Sequence, residues 1–111
     1  MSTITTHVLD TSRGKPAAGM AIGLEVERDG GWLSLSSGTT GADGRLGGLT
    51  PQGIPPGHYR LNAGVGDYFA ADGRDTLYGS AIIDFYLTDR DERLHLPILV
   101  SPYGWSTYRG S

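Results

Sequence analysis

The sequence predicts an all-β fold: an antiparallel β-sandwich of seven to eight short strands with one short helix. Three observations carry it. Eighteen glycines in 111 residues is about twice the usual share of roughly 7%, and with six prolines they mark many turns in a short chain. Apolar and polar residues alternate in segment after segment, the period of a strand with one buried face. Only one stretch has helical spacing. The length suits a single domain, residues 1–111.

Ile4 to Leu9 alternates, with Ile4, Thr6 and Val8 on one face and Thr5, His7 and Leu9 on the other. If Ile4 and Val8 face the core, His7 faces outward. Asp10 to Gly19 reads as loop. Met20 to Arg28 is the clearest strand, Ile22, Leu24 and Val26 alternating with Gly23, Glu25 and Glu27. Asp29-Gly30-Gly31 is a hairpin signal. Trp32 to Thr40 returns as its partner, with Leu33 and Leu35 expected inward and Trp32, Ser34 and Ser36 outward. Gly41-Ala42-Asp43-Gly44 is a further turn with Arg45 directly after it, and Leu46 to Leu49 has room for a short strand. Thr50 to Gly57 holds three prolines and is loop.

His58 to Ala63 places Tyr59, Leu61 and Ala63 inward. Val65, Tyr68 and Phe69 stand at i, i+3 and i+4, so Val65 to Ala71 is the helix; it is too short to stand without packing. Asp72 to Gly79 is loop, Ser80 to Thr88 a strand, and Asp89 to Glu92 a charged turn. Arg93 to Val100 puts Leu94, Leu96, Ile98 and Val100 on one face and Arg93, His95, Pro97 and Leu99 on the other. Pro97 has no N–H to donate, so it either interrupts this strand or lies where that donor would have no partner. A last strand follows Pro102-Tyr103-Gly104, and its aromatic residues suggest a docked terminus rather than a frayed one.

Composition removes several functions. A net charge of −3 offers no basic field for nucleic acid. The chain has no cysteine, so disulfides and thiolate metal sites are excluded. No apolar run reaches the roughly 20 residues of a membrane span. The N-terminus lacks a secretory pattern, which favours the cytoplasm. No Gly-x-Ser-x-Gly elbow and no phosphate loop is present, and two histidines alone lack the third ligand of a zinc site.

Three polar-face residues remain: His7, Arg45 and His95. Each alone reads most simply as a surface residue. Both strand histidines, however, lie opposite the apolar face of their own strand, so neighbouring strands would set both imidazoles on one outer surface. Histidine can act as a base near neutral pH, and arginine offers a planar donor fork for an anion or carbonyl oxygens. Such a set could hydrolyse a polar, anionic substrate. A carrier of a small aromatic ligand and a module binding protein through an edge strand are the competing readings. His58, beside Gly57 on an outward position, reads as solvated.

Three motifs extend this reading. Thr5-Thr6-His7-Val8-Leu9-Asp10-Thr11 with Arg13-Gly14-Lys15-Pro16-Ala17, then Thr39-Thr40 with Asp43-Gly44-Arg45, then His95-Leu96-Pro97 through Tyr108-Arg109-Gly110-Ser111 resemble the signatures of the 5-hydroxyisourate hydrolases, the transthyretin-related enzymes of urate breakdown. The resemblance covers nearly the whole chain, and the terminal Tyr-Arg-Gly-Ser is its most specific part, being absent from the related thyroid-hormone carriers. It implies a transthyretin-like sandwich and a homotetramer built as a dimer of dimers. It also implies active sites at the dimer–dimer interface, where the terminal aromatics would be buried by assembly. The implied reaction is hydrolytic ring opening of 5-hydroxyisourate to 2-oxo-4-hydroxy-4-carboxy-5-ureidoimidazoline, with no cofactor and no metal. His7, Arg45, His95 and Ser111 are the implied catalytic residues; Arg45, Tyr108, Arg109, Gly110 and Ser111 are the implied substrate contacts. Tyr78-Gly79-Ser80 departs from the family's usual Tyr-Pro-Glu, which bears on local packing. Leu94 also departs from the family pattern, and alternation turns it to the core.

Overall fold

The computed structural model describes residues 1–88 and 91–111; of the charged turn expected at 89–92, Asp89 and Arg90 lie outside the described residues. The strands are β1 (Thr3–Asp10), β2 (Lys15–Pro16), β3 (Ala21–Arg28), β4 (Gly31–Thr39), β5 (Arg45–Leu46), β6 (Gly57–Ala63), β7 (Ala81–Leu87), β8 (Arg93–Ser101) and β9 (Gly104–Thr107), with helix α1 at Val65–Ala70. One sheet has the order β2-β1-β8-β9, with β5 also paired to β1; the other has the order β4-β3-β6-β7. β2 is a two-residue piece inside a segment expected to be loop, so the described residues hold more strands than the seven to eight expected. The expected strand at Leu46–Leu49 starts one residue earlier and is shorter, because Arg45 pairs with His7.

One pairing departs from the antiparallel expectation. β1 and β8 run parallel, in register from Thr3↔Arg93 to Asp10↔Val100. The other pairings are antiparallel. This parallel pair carries both strand histidines at the centre of its sheet.

The core forms between the inner faces. Ile4, Val8, Ile98 and Val100 meet Ile22, Leu24, Leu61 and Ile83, all buried, each gaining roughly 1.5–3 kcal/mol on leaving water. Leu94 is in this core, as its alternation requires. Asp29 (φ 53°) and Gly30 (φ 80°) turn the β3–β4 hairpin with two left-handed residues, the geometry that matches strand twist.

Of the two β4 leucines expected inward, Leu33 keeps that phase opposite Val26, whereas Leu35 does not. Val26 pairs with Leu33 and Glu25 with Ser34, but Leu24 pairs with Ser36, so Leu35 is the extra residue of a β-bulge. A bulge reverses the phase of everything after it. Ser36 therefore faces inward and donates to the Leu49 carbonyl at 2.6 Å. Leu33 and Leu35 are exposed at this edge of the sheet.

α1 ends at Ala70 and buries Val65 and Phe69. Its first turn lies against the segment that departs from the family pattern. The Gly66 N–H donates to the Gly79 carbonyl at 3.0 Å, and a Cβ on Gly66 would stand 2.9 Å from that oxygen. The departure thus touches helix packing, not the polar face of β1 and β8.

Pro97 does not interrupt β8. The His95 carbonyl accepts the Gly110 N–H at 2.8 Å, and the Pro97 carbonyl accepts the Thr107 hydroxyl at 2.8 Å. Both groups face the β9 side. The ladder there runs to Thr107 and resumes only as a bridge at Gly110, so the absent N–H falls in a gap.

Candidate active site

β1 turns Thr5, His7 and Leu9 outward because Ile4, Thr6 and Val8 are drawn into the core. β8 likewise turns His95 and Leu99 outward. The parallel register pairs Thr5 with His95 and His7 with Pro97, so the histidines lie on neighbouring strands two residues out of step. Strand spacing puts their Cα atoms about 8 Å apart. Both imidazoles line one outer surface, as the alternation requires.

Arg45 reaches this surface through the 41–44 turn. The Gly44 carbonyl accepts the Val8 N–H at 2.8 Å, and the Gly44 N–H donates to Gly41 at 2.9 Å. Docked this way, the turn delivers Arg45 opposite His7. Only glycine serves at position 44: its φ is +77°, and a Cβ would stand 2.3 Å from the Val8 oxygen. Gly44→Ala is expected to cost at least ~2 kcal/mol, read as a lowered melting temperature; an unshifted melt would show that the turn can slide on β1.

Asp43 holds two site residues that sequence reasoning treats separately. Its backbone carbonyl is 2.9 Å from His7 Nε2. A carbonyl only accepts, so His7 Nε2 carries the hydrogen and Nδ1 is the free nitrogen when the ring is neutral. The Asp43 carboxylate accepts the Arg45 backbone N–H at 3.0 Å. His95 has a different partner: its Nδ1 lies 2.8 Å from the Thr5 hydroxyl.

A pocket of about 230 Å³ is lined by Thr5, Thr6, Arg45, Leu46, Gly47 and His95. It brings together two of the predicted catalytic residues, Arg45 and His95, with Thr5, a residue outside the predicted set. His7 stands beside it rather than in its wall. Of the terminal residues, Gly110 packs directly on the His95 ring. Tyr108 is exposed, and Arg109 pairs with the Glu92 carboxylate. Ser111 is exposed at the end of the tail. Trp105 packs against the chain's own core, so of the terminal aromatics Tyr103 and Tyr108 are the ones left exposed.

A larger cleft of about 510 Å³ lies between Val26, Leu35, Ile54, Pro55 and Tyr59 and holds none of the predicted site residues. His58 borders it and is not solvated as expected. Its ring stacks on Tyr86 at 4.5 Å and meets Trp32 edge-on at 5.0 Å. Its Nε2 is 2.5 Å from Asp84 Oδ1, and that hydrogen bond raises its pKa above the ordinary value. These contacts tie β4, β6 and β7 together on the sheet opposite the pocket.

The HIUase/Transthyretin family model matches residues 4–110. A 5-hydroxyisourate hydrolase of Caulobacter vibrioides is 43% identical over 119 aligned residues that cover all of both chains. The structure of Klebsiella pneumoniae 5-hydroxyisourate hydrolase superimposes with a TM-score of 0.90 at 42% identity, covering 100% of each chain. Sea bream transthyretin in complex with thyroxine gives a TM-score of 0.88 at 26% identity, covering 97% of this chain and 94% of that one. Fold and sequence point the same way across residues 4–110, and the chain belongs to the HIUase/transthyretin family.

Proposed function

We propose that this chain is a 5-hydroxyisourate hydrolase, acting through residues 1–111 as one domain. The observation that carries the reading is the convergence of Arg45 and His95 on one pocket, with His7 paired to Arg45 on the adjoining row. A carrier has no need of a base beside a guanidinium. The substrate is planar, oxygen-rich and anionic near neutral pH, which suits a guanidinium fork.

In the proposed reaction Arg45 holds the ring oxygens. His95 takes a proton from water as the water oxygen adds to the lactam carbonyl. The negative charge on the resulting tetrahedral carbon's oxygen is stabilised by Arg45. The ring C–N bond then breaks, and the departing nitrogen receives a proton, with His7 as the second proton-carrying group. His95 is preferred as base because it lines the pocket, whereas His7 is tied to the Asp43 carbonyl through Nε2. Ser111 and the rest of the tail would position water or substrate.

The proposed assembly is a homotetramer. A pocket of about 230 Å³ is small against the roughly 300–1,000 Å³ of ligand sites, and exposed Tyr103 and Tyr108 flank the same sheet; both support closure by another copy. No helix among the described residues is long and apolar enough to cross a membrane, and the proposed compartment is the cytoplasm. The test generates 5-hydroxyisourate in situ from urate with urate oxidase and follows its absorbance decay. Acceleration above the spontaneous rate by the purified chain is expected; an unchanged rate would remove the hydrolase reading.

A further inference from the structure

Thr5, His95 and Gly110 form one row across the outer face of the β1–β8 sheet. Thr5 and His95 are partners in the parallel register, and His95 and Gly110 face each other across an antiparallel bridge. The two flanks grip different edges of the imidazole. Thr5 Oγ1 lies 2.8 Å from Nδ1. On the other side, a Cβ on Gly110 would stand 2.7 Å from Cδ2 and 3.3 Å from Cγ, so the tail backbone lies directly against the ring. The Gly110 N–H, donating to the His95 carbonyl at 2.8 Å, fixes the tail there. With Nδ1 engaged and the Cδ2 edge covered, Cε1 and Nε2 form the outer edge of the ring.

We infer that Thr5 is a positioning residue for His95: it occupies Nδ1 and, with the Gly110 backbone on the opposite edge, leaves Nε2 as the nitrogen that exchanges a proton in the pocket. An unrestrained histidine turns broadly about χ2 and presents either nitrogen. A ring gripped on both edges has little of that freedom left to lose in reaching the transition state. A threonine hydroxyl suits the task because it both accepts and donates. The contact therefore survives whether Nδ1 bears a hydrogen or a lone pair, and holds as Nε2 gains and loses its proton. Thr5 also lines the pocket beside Arg45, so the same side chain shapes the space in which the ring acts.

The catalytic consequence rests on the proposed hydrolase reading; the grip on the ring does not, and the test separates them. Thr5→Val keeps a β-branched residue that suits the strand and removes the hydroxyl, while Thr5→Ser keeps the hydroxyl. Val is expected to lower kcat at least ~10-fold with KM within about threefold, and Ser to stay within about threefold of wild type in both. In parallel, the ring 15N resonances of His95 are expected to move in the Val variant and stay in place in the Ser variant. Melting curves verify that both variants are folded. Unchanged His95 resonances in Thr5→Val, or wild-type kcat in that variant, would overturn the assignment. If the wild-type protein does not turn over 5-hydroxyisourate, the hydrolase reading falls and the resonances alone decide whether Thr5 sets the ring.

Discussion

Alanine at His95 or at Arg45 is expected to lower turnover of 5-hydroxyisourate at least ~100-fold, about 2.7 kcal/mol of barrier, in a protein that remains folded. The two losses have different causes and different kinetic signatures. A positioned general base contributes roughly 10²–10⁴, so His95→Ala should fall mainly on kcat. Arg45 binds the substrate's oxygens in the ground state and stabilises the charge that develops on one of them, so Arg45→Ala should raise KM and lower kcat together. Arg45→Lys should recover little, because an ammonium does not reproduce the planar fork. The fold should tolerate the arginine change, since the side chain is 59% exposed and its Asp43 partner is 4.0 Å away. Steady-state kinetics paired with thermal melts make the check. A wild-type rate in either alanine variant would take that residue out of the reaction.

The site was legible where it depends on alternation and opaque where it depends on register. His7 and His95 face outward because their own strands carry Ile4 and Val8, or Leu96 and Ile98, on the opposite side, and that pattern is local. That β1 lies parallel to β8 is not local: partners such as Thr5 and His95 are 90 positions apart. Thr5 was therefore visible only as an outward hydroxyl, with nothing to mark it as a histidine's partner. Asp43 acts on His7 through a backbone carbonyl, which has no side-chain signature. The phase error in β4 has the same root, since a bulge at Leu35 shifts all later residues by one, and nothing in Leu-Ser-Leu-Ser-Ser announces it. His58 looked solvated because its neighbours Trp32, Tyr86 and Asp84 come from two other strands.

Asp10 shows the opposite case, a signal present but cut short. It continues the inward series Ile4, Thr6, Val8, yet a carboxylate there reads as the start of a loop. In the structure its side chain is 0% exposed and is fully engaged. Oδ1 accepts the Ser12 N–H at 3.2 Å and the Ser12 hydroxyl at 2.6 Å. Oδ2 accepts the Tyr68 hydroxyl at 2.9 Å and Arg74 Nη2 at 2.6 Å. Burial alone would push the pKa up, but the Arg74, Ser12 and Tyr68 hydrogen bonds and the Arg74 charge outweigh it and hold it at about 2.

The sign of the pH effect follows. The folded pKa lies below the unfolded value of about 3.9, so the stabilisation is fully present above pH ~4 and is lost as pH falls from there through about 2. A difference of about two units corresponds to roughly 2–3 kcal/mol, a large share of the roughly 5–15 kcal/mol that holds a domain of this size together. Asp10→Asn places an NH₂ among donors and withdraws the charge from Arg74, which also packs 4.7 Å from the centre of the Phe69 ring. The network joins the end of β1 to α1, so its loss loosens the helix from the sheet. The variant is expected to lose about 2–4 kcal/mol at pH 7, a drop of roughly 10–25 °C in melting temperature. It should also lose stability less steeply than wild type between pH 4 and 2, because the titrating group is gone. Thermal melts of both proteins from pH 7 to pH 2 test the two effects together. Parallel acid limbs would show that the stabilisation does not reside in the Asp10 carboxylate, even if the variant melts lower at neutral pH.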